Sequence, residues 1–490
     1  MARPARGGAR RVRRVSTLFG LGRSQPSLDF VDVDVNGDTP LFISPSAVSR
    51  LPTTWGHECT SLIQNFFSRV LELIKDGDDA GAERLLSALR EPNETHLGMS
   101  RGRSRGRALG DGSAHDVWAS LRNSAAARSG LISDLEDTAL LIPGIGLDII
   151  SDMTTNIIRG PLITYTQEQC RDHGIPMRIG MASGPIWDPQ ARAWTEHHVE
   201  LPVADGMRLL LVPKSVVRQS LLYNLSRYYH HHLLSHLQRV EFEANTALVR
   251  VAKDGTRELP FKTKVKEKYG SSKEDIVRET IKAPDVIEEY KREQRAKPYH
   301  PLAHEQIAEV GGSAMPDWRA MLERVREIPT GRKHATDYEK AVESLLTALL
   351  YPDSIHPVMQ SEIHDGRKRI DIQYDNMASA GFFQWLSRHY PSALIFVECK
   401  NYGGEVANPE LDQLAGRFSP GRGQVGLLVV RHFDDKQRFQ DRCRDTARDQ
   451  RGYIIALDDA DLAELVDARI NDAEYRNWAL LRERFQRLIA

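Results

Sequence analysis

The chain is short of the features that assign a function class at sight. Its four cysteines, Cys59, Cys170, Cys399 and Cys443, lie far apart and form no CxxC pair. That excludes the spacing of a structural zinc module and points to reduced thiols in a cytoplasmic protein. No apolar run approaches the ~18 to 20 residues that a bilayer-spanning helix needs, so no membrane partner is expected. Neither sign of charge dominates, with 66 Lys and Arg against 67 Asp and Glu. A global positive field is therefore missing, and any surface for nucleic acid must be local. The GIG triplet Gly144 to Gly146 lacks both the rest of a dinucleotide fingerprint and the Lys-Ser/Thr of a phosphate loop, and reads as a tight turn. His232 and His236 have the i, i+4 spacing of a metal pair, but Leu233 and Leu234 stand where an HExxH motif needs its glutamate. They read as packing or surface histidines.

With 490 residues, 41% of them hydrophobic, the chain has apolar content for two or three domains. Six arginines in the first fourteen residues mark 1–23 as a basic disordered arm. Residues 24–300 form a larger, mainly helical α+β region of unknown function. Within it LDFVDVDV alternates like a short strand, and Leu62, Phe66, Val70 and Ile74 recur on one helical face. The Gly, Ser and Arg-rich stretch 98–114 reads as a linker. Asp148 and Asp152 share a helical face and read as solvated acids. A long helix is expected over SVVRQSLLYNLSRYYHHHLLSHLQ. Lys262, Lys264, Lys266 and Lys268 alternate as on a protected edge strand, and Ser272 with Asp275 forms a helix-start capping box. Residues 301–330 read as a connector to a last domain, 331–490.

That domain has the clearest pattern. Tyr338, Val342, Leu345, Leu346 and Leu349 give a helix with a broad buried stripe, ended at Pro352. Three extended runs follow, VMQSEIHDG with an Asp-Gly turn signal, KRIDIQYDN and ALIFVECKN. Next comes a helix capped by Asn408 ahead of Pro409, the buried strand QVGLLVV, a charged helix and the strand YIIALDD. The expected fold class is mixed α/β, an αβββαβ core with helices on the faces of a mixed sheet.

Alternation puts Glu398 and Lys400 on one face of the third strand with Cys399 on the other, and Asp371 converges on them if the second and third strands pair. Two carboxylates at that point suit Mg²⁺, which binds through one or two carboxylates plus waters and a substrate phosphate. Asp371 and Glu398 would hold the metal, and Lys400 would serve the attacking water or the charge developing on the phosphoryl group.

These residues resemble the PD-(D/E)XK nucleases of the restriction-endonuclease-like group, most closely their Mrr-like and Holliday-junction-resolvase-like branches, over about residues 335–460. The resemblance implies a Mg²⁺-dependent endonuclease that cuts DNA, with Mn²⁺ as a substitute metal. It carries the motif D onto Asp371 and the ExK onto Glu398 and Lys400. The helix acid falls on Glu339, a third metal ligand, with Glu343 as fallback, and the polar residue of the following helix falls on Gln413. The motif proline is absent, Arg369 and Ile370 preceding Asp371. NMASAGFFQWLSRHYPS stands where a short turn is usual and reads as an inserted amphipathic helix, with Phe382, Phe383, Trp385 and Leu386 on the sheet. The resemblance also suggests restriction or anti-phage defence, a homodimer, and recognition or activation by the N-terminal region or a partner. The rival readings are a repair or recombination nuclease on branched DNA and a non-catalytic nucleic-acid platform.

Overall fold

A computed structural model describes residues 12–99, 120–122, 124–129, 131–297, 300–363, 368–404, 406, 408–472 and 475–490. Most of the expected linker 98–114, the first eleven residues of the arm and the Asp-Gly turn at Asp365–Gly366 lie outside them.

The N-terminal region is built around α1 (Thr54–Asp76), α2 (Leu147–Ile157) and α3 (Arg159–His173). Thr53 caps α1, and the stripe Leu62, Phe66 and Val70 is buried. Gly144, at φ +81, supplies the turn expected of GIG, and Gly146 sits at the N-cap of α2. A small antiparallel sheet, β1 (Met177–Ala182) against β2 (His198–Ala204), follows α3.

Several expectations for this region need correcting. Residues 12–23 do not form a free arm. Val15 is fully buried, Arg14 donates to the Asp32 carbonyl at 2.7 Å, and Arg13 pairs with Asp205 at 2.8 Å. LDFVDVDV is not a ladder strand and makes only isolated bridges such as Phe30 to Pro213. The alternation misleads because its acids also face inward. Asp29 accepts from the Tyr165 hydroxyl at 2.8 Å and Asp32 from Ser16 at 2.6 Å. The histidine-bearing helix starts at Leu225, capped by Asn224, while Val217–Arg218 pairs with Phe42–Ile43. Lys262 to Lys268 lie on a helix, α4 (Lys262–Tyr269), whose single buried residue is Val265. Lys264 pairs with Glu267 and Lys268 with Glu241, while Lys262 donates to the His230 carbonyl at 2.7 Å. The Ser272–Asp275 capping box does start α5 (Lys273–Lys282), and α6 (Pro284–Ala296) follows.

The expected connector is also folded. It holds α7 (His304–Gly311) and α8 (Trp318–Arg326), the latter capped by Asp317. Trp318, Met321, Leu322 and Val325 join the C-terminal core, so that unit begins near Asp317 rather than at 331.

The C-terminal unit has the expected mixed α/β order. Helix α9 (Ala335–Leu350) leads to β3 (Ser354–Ile363) and β4 (Lys368–Asn376), followed by α10 (Gly381–His389) and β5 (Leu394–Lys400). Then come α11 (Asn408–Ala415), β6 (Val425–Val430), α12 (Lys436–Arg448), β7 (Tyr453–Leu457), α13 (Asp459–Asn471) and α14 (Ala479–Ile489). The strands lie in chain order, β3, β4 and β5 antiparallel and β5, β6 and β7 parallel. All six residues of β6 are buried, as a strand covered on both faces requires. Helix α10 occupies the expected insertion, and Phe382, Phe383 and Leu386 are buried in the core. No helix of the described residues is long and apolar enough to cross a membrane.

Candidate active site

The site forms where β4 and β5 run side by side. Ile370, Ile372 and Tyr374 of β4 are fully buried, while Asp371, Gln373 and Asp375 alternate to the other face. Ile372 pairs with Val397, which places Asp371 beside Glu398, and the Cys399 amide donates to Asp371 Oδ2 at 2.8 Å. Glu398 is 0% exposed. Its Oε1 accepts from Lys400 Nζ at 2.5 Å and from the Gln413 amide on α11, and its Oε2 is buried with no hydrogen-bond partner. The strand alternation that puts Glu398 and Lys400 on one face therefore brings them into an ion pair.

Electrostatics follow from this crowding. Burial lifts the Asp371 carboxyl above its ordinary range despite the Cys399 amide and the Lys400 ammonium. Burial and then repulsion from Asp371 lift Glu398, against Lys400. Burial works against the charged form of Lys400, but the Glu398 carboxylate outweighs it and holds the ammonium above its usual value.

Glu339, one of the two sequence candidates on α9, reaches the same field. Burial pushes its carboxyl up to about 7, with Asp371 and Glu398 adding to the rise. Its Oε1 accepts from Gln360 Nε2 at 2.5 Å. Glu343 is elsewhere. It is buried, pairs with Arg23 of the N-terminal region, and accepts from Thr347 at 2.9 Å, so it does not serve as the fallback acid. Asp371, Glu398, Lys400, Gln413 and Glu339 thus share one site.

Two contributors have no motif behind them. Gln360 falls opposite Asp371 in the β3–β4 register, between the pairs Met359–Ile372 and Ser361–Ile370, at φ +52. A left-handed non-glycine residue inside a strand is strained backbone, and here it aims an amide at Glu339. Arg417, just past α11, acts on both Asp371 and Glu398. Asn401 follows Lys400 at the end of β5. Its amide donates to the carbonyls of Pro329 at 2.9 Å and Gly331 at 3.2 Å, fastening the segment before α9 to the end of β5.

The donor set has the chemistry of a divalent-metal site in one respect and departs from it in another. A buried carboxylate with one orphaned oxygen beside a second carboxylate fits a hard cation. Among the described residues, however, no three His, Cys, Asp or Glu side chains gather closely enough to hold a metal ion. Asp371 and Glu398 are the pair that fits, and Glu339 is turned to Gln360 instead of joining them as a third ligand. The histidine pair contributes nothing here, since His232 packs on Tyr290 with ring centroids 4.9 Å apart and faces Glu293 at 3.6 Å.

Comparison with known families reaches only the other end of the chain. Residues 20–224 match the model of a domain of unknown function, DUF8370. The match stops one residue short of the helix that begins at Leu225. No curated protein and no solved structure matches the chain.

Proposed function

We propose that the C-terminal unit is a metal-dependent endonuclease that hydrolyses DNA phosphodiester bonds, with the N-terminal region controlling where or when it cuts. The observation that carries this reading is the convergence of Asp371, Glu398, Lys400 and Gln413 from two strands and a helix, with one Glu398 oxygen left without a partner. Lys400 and Arg417 do not fully compensate these two buried carboxylates, since burial still lifts both carboxyls and one Glu398 oxygen stays without a hydrogen-bond partner. The arrangement becomes favourable when a further cation arrives.

Asp371 and Glu398 would hold Mg²⁺ or Mn²⁺, which supplies Lewis acidity toward a phosphate oxygen and a water molecule. Gln413 and Lys400 fix Glu398 in one orientation by donating to the same oxygen. Lys400, with 11% of its side chain exposed, presents an ammonium where charge develops in the transition state. Glu339, held by Gln360, stands by as a proton acceptor near neutral pH. Cutting both strands of a duplex takes two such sites, so a dimer on DNA belongs to the proposal, and a monomer by sedimentation on cleaved duplex would count against that part. A setting in restriction or anti-phage defence rests on the family resemblance alone.

The test is cleavage of linear, nicked, branched and single-stranded DNA with Mg²⁺ or Mn²⁺ by the full chain, alongside Asp371→Ala and Lys400→Ala. Metal-dependent cutting lost in both variants is the expected result. Undiminished cutting by both removes the site assignment. A preference for branched DNA transfers the enzyme to repair or recombination, and wild-type protein that binds but never cuts is a platform.

A further inference from the structure

A cavity of about 240 Å³ lies at the seam between the N-terminal region and the β3–β4 hairpin. Its volume falls just below the ~300 to 1,000 Å³ of sites for drug-sized ligands, so it suits a smaller molecule. Part of its lining is aromatic and apolar. Trp55, on the first turn of α1, and Tyr165, on α3, line it with ring centroids 6.3 Å apart and planes tilted by 54°. The carboxylates of Asp29, Glu58, Glu168 and Asp375 line it as well. His356 is the one basic side chain among the described residues that line the cavity.

The contacts show how that charge is distributed. Asp29 is 4% exposed and accepts from the Tyr165 hydroxyl at 2.8 Å and the His356 amide at 3.0 Å. The imidazole of His356 meets Asp375 at 3.1 Å and Glu168 at 3.9 Å. One imidazolium therefore stands against the four carboxylates of the lining, those of Asp29, Glu58, Glu168 and Asp375, and the cavity keeps an excess of negative charge. These acids surround a space instead of converging on a point, since no three acidic, histidine or cysteine side chains among the described residues lie close enough for a metal ion. Carboxylates and aromatic rings lining one pocket are surroundings that stabilise an organic cation, through charge and ring quadrupoles together.

We infer that this cavity is a binding site for a small organic cation, a primary amine, guanidine or quaternary ammonium compound, held by the aromatic pair Trp55 and Tyr165 and by the carboxylates of Glu168 and Asp375. The field acts on His356 in the same sense. Burial alone would neutralise the imidazole, but Asp375, Asp29 and Glu168 overcome it and raise its pKa to about 9. Occupancy has a route to the strands of the candidate active site. His356, at φ +53, sits at the irregular end of β3, and Asp375 lies on the same strand and face as Asp371. The inference stands whether or not the nuclease reading holds.

Isothermal titration of the full chain with agmatine, putrescine and choline tests it, with n-butanol as the uncharged control and Mg²⁺ and Ca²⁺ as inorganic competitors. The expected result is saturable binding of at least one organic cation and none of butanol. Affinity should weaken by about ten-fold or more in Glu168→Gln, the loss of one charge contact, and likewise in Trp55→Leu. The conservative Glu168→Gln guards against misfolding of the tryptophan variant, and circular dichroism checks both. No binding by any of the three compounds up to about 10 mM, a concentration that would reveal even millimolar affinity, overturns the inference. So does unchanged affinity in a folded Glu168→Gln, or displacement by either metal at equal concentration.

Discussion

Replacing Lys400 by methionine separates the ion pair of the candidate site from its chemistry. Lys400 is the cation that hydrogen-bonds the fully buried Glu398. Removing one member of a buried pair typically costs ~3 to 5 kcal/mol, because the remaining charge is stranded. Here the loss has a ceiling, since Glu398 can take a proton. Moving it from an ordinary carboxyl value of 4.5 to neutrality at pH 7 costs about 3.4 kcal/mol, at about 1.36 kcal/mol per pH unit. The same ceiling at pH 5.5 is about 1.4 kcal/mol. The sign follows from linkage. A carboxyl raised in the folded state contributes stability below its unfolded value and loses it as pH rises through the folded value. Because Glu398 is already raised in the wild type, Lys400→Met should lower stability by less than that ceiling of about 3.4 kcal/mol at pH 7, and by less at pH 5.5 than at pH 7. Glu398→Gln, which leaves Lys400 with the Asp371 carboxylate as a neighbouring charge, should cost about 1 kcal/mol at either pH. The double variant should resemble Glu398→Gln. Mn²⁺ at ten times its dissociation constant for Lys400→Met should return about 1.4 kcal/mol to that variant. Urea and thermal unfolding at the two pH values read these differences. Equal losses for Lys400→Met at both pH values, or a loss no larger than that of Glu398→Gln, would refute the stranded-charge argument.

Further outcomes follow from the same contacts. Glu339→Gln should flatten the fall in stability between about pH 4.5 and 7. Its full shift corresponds to about 3.4 kcal/mol, which partial exposure reduces to on the order of 1 to 2 kcal/mol. Gln360→Leu, which removes the hydrogen bond favouring the Glu339 carboxylate, should move the acid limb of the cleavage pH profile upward, whereas an unmoved limb would make Gln360 purely structural. Arg23→Ala strands the buried Glu343 and should destabilise the chain by about 3 kcal/mol in urea unfolding. His356→Ala should abolish a loss of stability that otherwise develops as pH rises from about 6.5 through about 9, since a histidine raised in the fold contributes fully below its unfolded value. A pH–stability curve identical to that of wild type would exclude the Asp375–His356 contact.

What the sequence disclosed depended on how local the signal was. Strand order in the C-terminal unit was legible because each element carries its own pattern. The stripe of α9, the unbroken apolar run of β6 and the Asn408–Pro409 start of α11 need no partner to be recognised. The pairing of Glu398 with Lys400 followed from strand periodicity alone. Gln360 was invisible because its role comes from a left-handed residue and a register across two strands. Glu339 and Glu343 lie one turn apart on the same helix, and only packing decides that one faces Asp371 and the other Arg23. The connector was misread for a different reason. Trp318, Met321, Leu322 and Val325 have plain helical spacing, but the polar residues among them and the flanking Gly and Pro outweighed it. In LDFVDVDV the assumption that acids face water failed, because Asp29 and Asp32 are buried and satisfied.

The two halves of the chain are joined at elements that carry the candidate site. Glu343, four residues beyond Glu339 on α9, is tied to Arg23, and the amide of His356 at the far end of the β3–β4 hairpin is tied to Asp29. Tyr351, Ile355 and Met377 of the C-terminal unit pack in the N-terminal core. A shift of the N-terminal region would thus act on α9 and on the hairpin together, and these elements bear Glu339, Gln360 and Asp371. Interior packing transmits such shifts as discrete rearrangements more readily than as graded ones. Glu398 and Lys400 sit on β5, inside the sheet between β4 and β6. Control from the N-terminal region would therefore work by bringing Asp371 and Glu339 into or out of register with a fixed Glu398–Lys400 pair. On that basis Arg23→Ala and His356→Ala should change the pH dependence or rate of cleavage while leaving the Lys400–Glu398 contact intact, and a change in cleavage seen only with β5 variants would place control elsewhere.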